Sequence, residues 1–169
     1  MSVVGPISET PPLLNGESVG PAWNNIPNVD AIPTISGTAY LFRFQVTQPI
    51  TVSRTRVIVS TASGNMDIGI FSDAGILLGH TGSVAANIAQ PIALLASISL
   101  IPGAWYRAAL SCDNILLRVN GGPIISSSSA NLSVEKIAVR VDGAYFPLAN
   151  LTPAVVQTGG HLYCIYFWP

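Results

Sequence analysis

Charge is what this chain has least of. Only 9% of its 169 residues are Asp, Glu, Lys or Arg, against roughly 25% in an ordinary soluble domain. Seven basic residues stand against eight acidic ones, for a formal net charge of -1. The basic residues are Arg43, Arg54, Arg56, Arg107, Arg118, Lys136 and Arg140, spread along the chain without a cluster. A phosphate backbone is bound by a concentrated positive face, so nucleic acid is not an expected partner. Histidine and cysteine are equally sparse: His80 and His161, Cys112 and Cys164. None of these four has the paired spacing of a zinc site, and Asp67, Asp73, Asp113 and Asp142 lie singly, whereas a calcium loop gathers its oxygens at alternate positions.

The same scarcity removes most catalytic arrangements. Of the three glutamates, Glu9 and Glu17 fall near the start and Glu135 far away, a poor basis for the carboxylate pair of a glycoside hydrolase. Neither histidine sits in a motif with an activated Ser or Cys and an acid. His80 lies in the turn-like Gly79-His80-Thr81-Gly82, and His161 follows Gly159-Gly160 at a strand start. No helix longer than a turn is predicted, so no Gly-rich phosphate loop opens one. The expectation is a protein that is not an enzyme and uses no cofactor or metal.

Long hydrophobic runs are missing too. The most apolar window, Ile92 to Trp105, is broken by Pro102-Gly103, and a membrane span needs about 20 residues. No membrane partner is expected. Met1 to Pro6 lacks the basic and apolar regions of a secretory leader, which predicts a protein made in the cytoplasm. There Cys112 and Cys164 are expected as buried thiols, with their pairing left open, and the sequons at Asn131 and Asn150 carry no weight.

Apolar residues are what the chain does have: 49% hydrophobic, with a mean hydropathy of +0.50. Such a chain cannot coat itself in charge, so apolar surface is expected to meet other protein. The alternative is an uncharged exterior of the kind that Ser126-Ser127-Ser128-Ser129 supplies.

Residues 1–36 differ from the rest. Pro6, Pro11, Pro12, Pro21, Pro27 and Pro33 remove ladder donors and block helices. Yet Leu13, Leu14, Trp23 and Ile26 are too apolar for a disordered tail. The segment reads as an extended Pro-rich N-terminal arm that lies against its own domain or a neighbouring subunit. Pro11, Pro12, Leu13, Leu14, Trp23 and Ile26 are its candidate contact residues.

From Gly37 to Pro169 a single β domain is predicted. Tyr40, Phe42, Phe44 and Val46 share one face of a strand; Met66, Ile68 and Ile70 share one face of another. Between Val52 and Val57 the phase changes, which predicts a bulge or a second buried face. Arg54 and Arg56 are expected to pair with Asp67 next door. Turns are expected at Asp73-Ala74-Gly75, Pro102-Gly103, Asp113-Asn114 and Asn120-Gly121-Gly122, with a strand over 115–119. Val134 to Val141 reads as a strand, and the chain closes with His161 to Trp168, apolar on both faces. That pattern suits a sheet interior or a subunit interface, and adds Tyr166 and Trp168 to the candidate partner-binding residues. Of the aromatics available for sugar binding, Trp105 and Tyr106 occupy adjacent strand positions, so one of them is expected in the core. Roughly nine short strands point to an all-β fold, a two-sheet antiparallel β-sandwich of the jelly-roll kind.

Two runs carry a resemblance. The first is Asp67-Ile68-Gly69-Ile70-Phe71-Ser72-Asp73-Ala74-Gly75-Ile76-Leu77-Leu78, followed by Thr81-Gly82-Ser83. The second is Pro102-Gly103-Ala104-Trp105-Tyr106-Arg107-Ala108-Ala109-Leu110. Over residues 37–115 the chain resembles small jelly-roll structural proteins of tailed bacteriophages, which serve as capsid decoration (cement) proteins or as tail-fibre and appendage domains. The resemblance implies a virion protein on the capsid surface, bound non-covalently to the major capsid protein and to its own copies as a homotrimer. Its alternative is an appendage module that binds a host receptor or glycan.

Overall fold

The computed structural model describes residues 29–86, 91–123, 138–141, 143, 145–151, 156–157, 161–163 and 165–169. Pro11, Pro12, Leu13, Leu14, Trp23 and Ile26 therefore lie outside the described residues. Fourteen strands and no helix are found among them. The chain is all-β, built of antiparallel sheets around a shared core, an arrangement consistent with a β-sandwich.

The largest sheet has seven strands. Its order is β12 (Val156–Gln157), β11 (Ala138–Val141), β2 (Ala39–Phe44), β9 (Tyr106–Cys112), β5 (Asn65–Ser72) and β6 (Leu77–His80), with β7 (Val84–Ala85) also paired to β5. Strand alternation explains its inner face: Tyr40, Phe42 and Phe44 from β2, Met66, Ile68 and Ile70 from β5, and Ala108 and Leu110 from β9 enter one core. A three-stranded sheet, β14 (Ile165–Trp168), β3 (Ile50–Val57) and β8 (Ile92–Leu100), contributes Val52, Val57, Leu94, Ile98, Leu100, Ile165 and Phe167 to the same core. A four-stranded sheet adds Val59 and Val119. It is made of β1 (Val29–Pro33), β10 (Arg118–Pro123) and β13 (His161–Tyr163), with β4 (Val59–Thr61) also on β10. The chain passes between the two smaller sheets twice, after a single residue each time: from β3 to β4, and from β13 to β14.

The phase change in β3 is a bulge. Its register against β8 shifts between Val52 and Arg54, so Thr55 and Val57 turn inward while Arg54 and Arg56 stay exposed.

Two expectations are corrected and one gains detail. The end of the segment read as an arm, Val29–Pro33, is a strand paired with β10 of its own domain. Proline tolerates this place at the end of a strand. Next, Asn120-Gly121-Gly122 is not a turn. Gly121 pairs with both Val29 and Tyr163, and ladders on both sides outweigh local turn preference. Finally, the strand after Asp113-Asn114 begins at Arg118 rather than 115. The Asn114 side-chain oxygen accepts the Leu116 N–H at 2.7 Å, an Asx-type turn that leaves Ile115 and Leu116 exposed.

The outer face of the seven-stranded sheet is not left to water. Residues 145–151 form a strap across it. Tyr145 N donates to the Gly37 carbonyl at 2.9 Å and Leu151 N to the Gly75 carbonyl at 3.0 Å, while Leu77 N donates to Asn150 Oδ1 at 2.8 Å. Beneath the strap Ala39, Leu41, Phe71, Ala109, Val141 and Leu148 form a second, smaller core.

Candidate functional site

Three groups of side chains stand out, and each must be weighed as chemistry or as scaffold. The first surrounds Asp67, which alternation places on the outer face of β5, away from Met66 and Ile68. It is fully buried there. Its Oδ2 accepts from His80 Nδ1 at 2.7 Å and from Leu148 N at 2.9 Å; its Oδ1 accepts from Thr81 Oγ1 at 3.1 Å. The expected pairing of Asp67 with Arg54 and Arg56 is therefore wrong, since those arginines belong to another sheet. His80 is likewise more than a turn residue, because its ring joins β6 to this buried carboxylate. Gly69 makes the close approach possible: a Cβ there would stand 2.8 Å from the Gly79 carbonyl oxygen and 2.9 Å from His80 Cβ. Ser111, opposite Asp67 in the ladder, keeps a buried hydroxyl without a hydrogen-bond partner. Through these bonds the Asp67 carboxylate acts as a clamp joining β5, β6 and the strap.

The second group lies at the surface. Arg43 grips Asp73 with two parallel bonds, Nε to Oδ1 at 3.0 Å and Nη2 to Oδ2 at 2.7 Å. Arg107 reaches Asp73 Oδ1 at 3.2 Å, and the Arg43 guanidinium lies 4.1 Å above the Trp105 ring. Tyr106 is the buried member of its pair and Trp105 the half-buried one, as adjacent strand positions require. The cations here are already spent on Asp73 and Trp105.

The third group is the outer face of the three-stranded sheet. Ile165 and Phe167 point into the core, so the predicted residues Tyr166 and Trp168 are half-buried on the opposite face. The ladder sets Tyr166 directly opposite Arg56 and Trp168 directly opposite Arg54. Sequence reading singled out the two aromatics but missed their arginine partners, because register between strands more than 100 residues apart is not written in either strand alone.

Two titratable groups are displaced from their ordinary range. Burial pushes the Cys112 thiol up, against the lowering effect of Thr34, whose Oγ1 accepts from Sγ at 2.9 Å. Asn65 holds the Asp113 carboxyl down by donating its backbone N–H at 2.7 Å and its side-chain amide at 2.8 Å. Cys112 is a free, buried thiol. Among the described residues no three His, Cys, Asp or Glu side chains gather as metal ligands, and no helix is long and apolar enough to cross a membrane.

No protein-family model matches the chain, and no curated protein is detectably similar to it.

Proposed function

We propose that this protein is a structural virion component, a capsid decoration protein with a jelly-roll fold that binds the major capsid protein as a homotrimer. The observation that carries this reading is exposed aliphatic surface on a chain with little charge. Ile35, Ile115 and Leu116 are 45%, 65% and 63% exposed. They come from two segments tied by Thr34 N to the Leu117 carbonyl at 3.2 Å and by Ser36 Oγ to the Asp113 carbonyl at 3.0 Å. Leu95 and Ile101 are exposed elsewhere. Aliphatic side chains grouped in this way favour burial against another protein over solvation. The resemblance over residues 37–115 supplies the kind of assembly.

The test is the ratio of this chain to the major shell protein in purified particles, measured by quantitative mass spectrometry. A fixed ratio across the whole shell supports decoration. A copy number matching the tail or a vertex moves the protein to the second reading, an appendage module that binds a host receptor or glycan, which the aromatic–arginine face of β14 and β3 favours. Absence from the particle sinks both.

A further inference from the structure

We infer that the outer face of the β14–β3–β8 sheet is the docking surface for residues 1–28 of the same chain, an acidic and apolar segment on a basic and apolar face. Arg54 and Arg56 are exposed there, and among the described residues neither has an ion-pair partner. Arg43 and Arg107, by contrast, share Asp73. Strands β3, β8 and β14 contain no Asp or Glu. Around the two guanidinium groups the face is largely apolar. Trp168 and Ala93 lie opposite Arg54 on its two sides. Beyond Ala93 strand β8 bulges, setting residues 94–97 against Ser53, and Leu95 in that bulge is 71% exposed.

Charge complementarity selects the occupant. Two unpaired cations beside apolar side chains fit a segment that carries carboxylates and apolar groups but no cation. Residues 1–28, which lie outside the described residues, contain Glu9 and Glu17 and no Lys, Arg or His, together with Leu13, Leu14, Trp23 and Ile26. Carboxylates answer the guanidinium forks, and the aliphatic and aromatic groups cover Leu95 and Trp168.

The segment is also long enough. It joins the described chain at Val29, which faces Gly121, and Gly121 faces Tyr163. Further along the same stretch, Tyr166 faces Arg56 and Trp168 faces Arg54. Paired strands stand about 5 Å apart and a strand rises about 3.3 Å per residue, so Val29 lies within about 27 Å of Arg56 and about 34 Å of Arg54. The stretch from Glu17 to Val29 spans up to about 40 Å when extended. Tethered in this way, the segment acts at an effective concentration in the millimolar range, so contacts too weak to hold two separate molecules suffice. The contact closes within one molecule, and its test is therefore independent of the copy-number experiment.

The test uses the full chain. Phenylglyoxal labelling of Arg54 and Arg56, read by peptide mass spectrometry, is expected to be about fivefold slower than in Glu9→Gln/Glu17→Gln, the shielding that a millimolar effective concentration gives a sub-millimolar contact. Arg43, held on Asp73, is the control and labels alike in both. In Arg54→Lys/Arg56→Lys a carbodiimide is expected to join position 54 or 56 to Glu9 or Glu17 within a chain of monomer mass. Thermal melts check that both variants keep the fold. Equal labelling of the two proteins, or no such cross-link, overturns the proposal. Cross-links that join two chains and vanish on dilution assign the face to a second copy's segment and overturn it as well.

Discussion

At Asp67 three segments of the chain meet on one carboxylate: β5, the end of β6 with Thr81, and the strap through Leu148 N. Removing that acceptor leaves buried donors without partners, the costly half of the hydrogen-bond balance. Asp67→Ala is expected to lower stability by about 3 kcal/mol, read by urea unfolding. A loss below 1 kcal/mol would mean that water replaces the carboxylate. Alternation in the sequence put Asp67 on the correct face of its strand. That the face is buried was not legible, because the strap that buries it has no strand periodicity of its own.

Cys112 and Asp113 are neighbours with opposite linkage to pH. The folded state holds the Cys112 proton more tightly than the unfolded chain, so its contribution is complete below the ordinary thiol value of 9.0 and fades as pH rises beyond it. Asp113 is held below the ordinary 3.8, so its contribution is present above that value and is lost as pH falls further. Unfolding midpoints are therefore expected to decline above about pH 9 and below about pH 4. Exposure of Asp113 makes the acid limb the shallower of the two. In the native protein Cys112 is expected to resist thiol reagents at pH 8, as peptide mapping after alkylation would show; rapid labelling there would place the thiol at the surface.

Between residue and domain, the strands β1 and β14 decide the most. Phe167 stacks near Phe44, with centroids 6.5 Å apart and planes at 13°, and is fully buried. Phe167→Ala is expected to cost about 4 kcal/mol, while Tyr166→Ala one position earlier costs under about 1 kcal/mol because it empties no core. Comparable losses at both positions would mean the strand is buried on both faces. At the other end of the chain, deleting residues 1–28 keeps β1 and its ladder, whereas deleting 1–36 removes β1 and the Thr34 contacts to Cys112 and Leu117. The longer deletion is expected to melt many degrees below the shorter one; equal melting of the two would deny β1 a structural role. Strand interiors such as β2 and β5 were legible because large apolar residues alternate on the face toward the main core, Tyr40, Phe42 and Phe44 or Met66, Ile68 and Ile70, with different residue types between them. The start of β10 was not, since the Asn114 side chain, rather than hydrophobicity, sets where the strand begins.

On the scale of the whole molecule, the shared core joins all three sheets, and with 9% charged residues the exterior cannot be coated in charge. What composition does not specify is which exterior meets which neighbour. Sedimentation equilibrium of the purified chain is expected to give a trimer, and a monomer at micromolar concentration would remove the threefold arrangement from the proposal.

The strap over the seven-stranded sheet also gives the two broad faces different characters. One broad face is sealed by bonds running from residues 145–151 to the strands beneath, while the opposite one keeps Arg54, Arg56, Ala93 and Ser99 in the open. The molecule therefore has a front and a back. Copies tiled over a surface would all face the same way, and a footprint of chemical labels taken from the assembled layer would report one side of the sandwich and never the other.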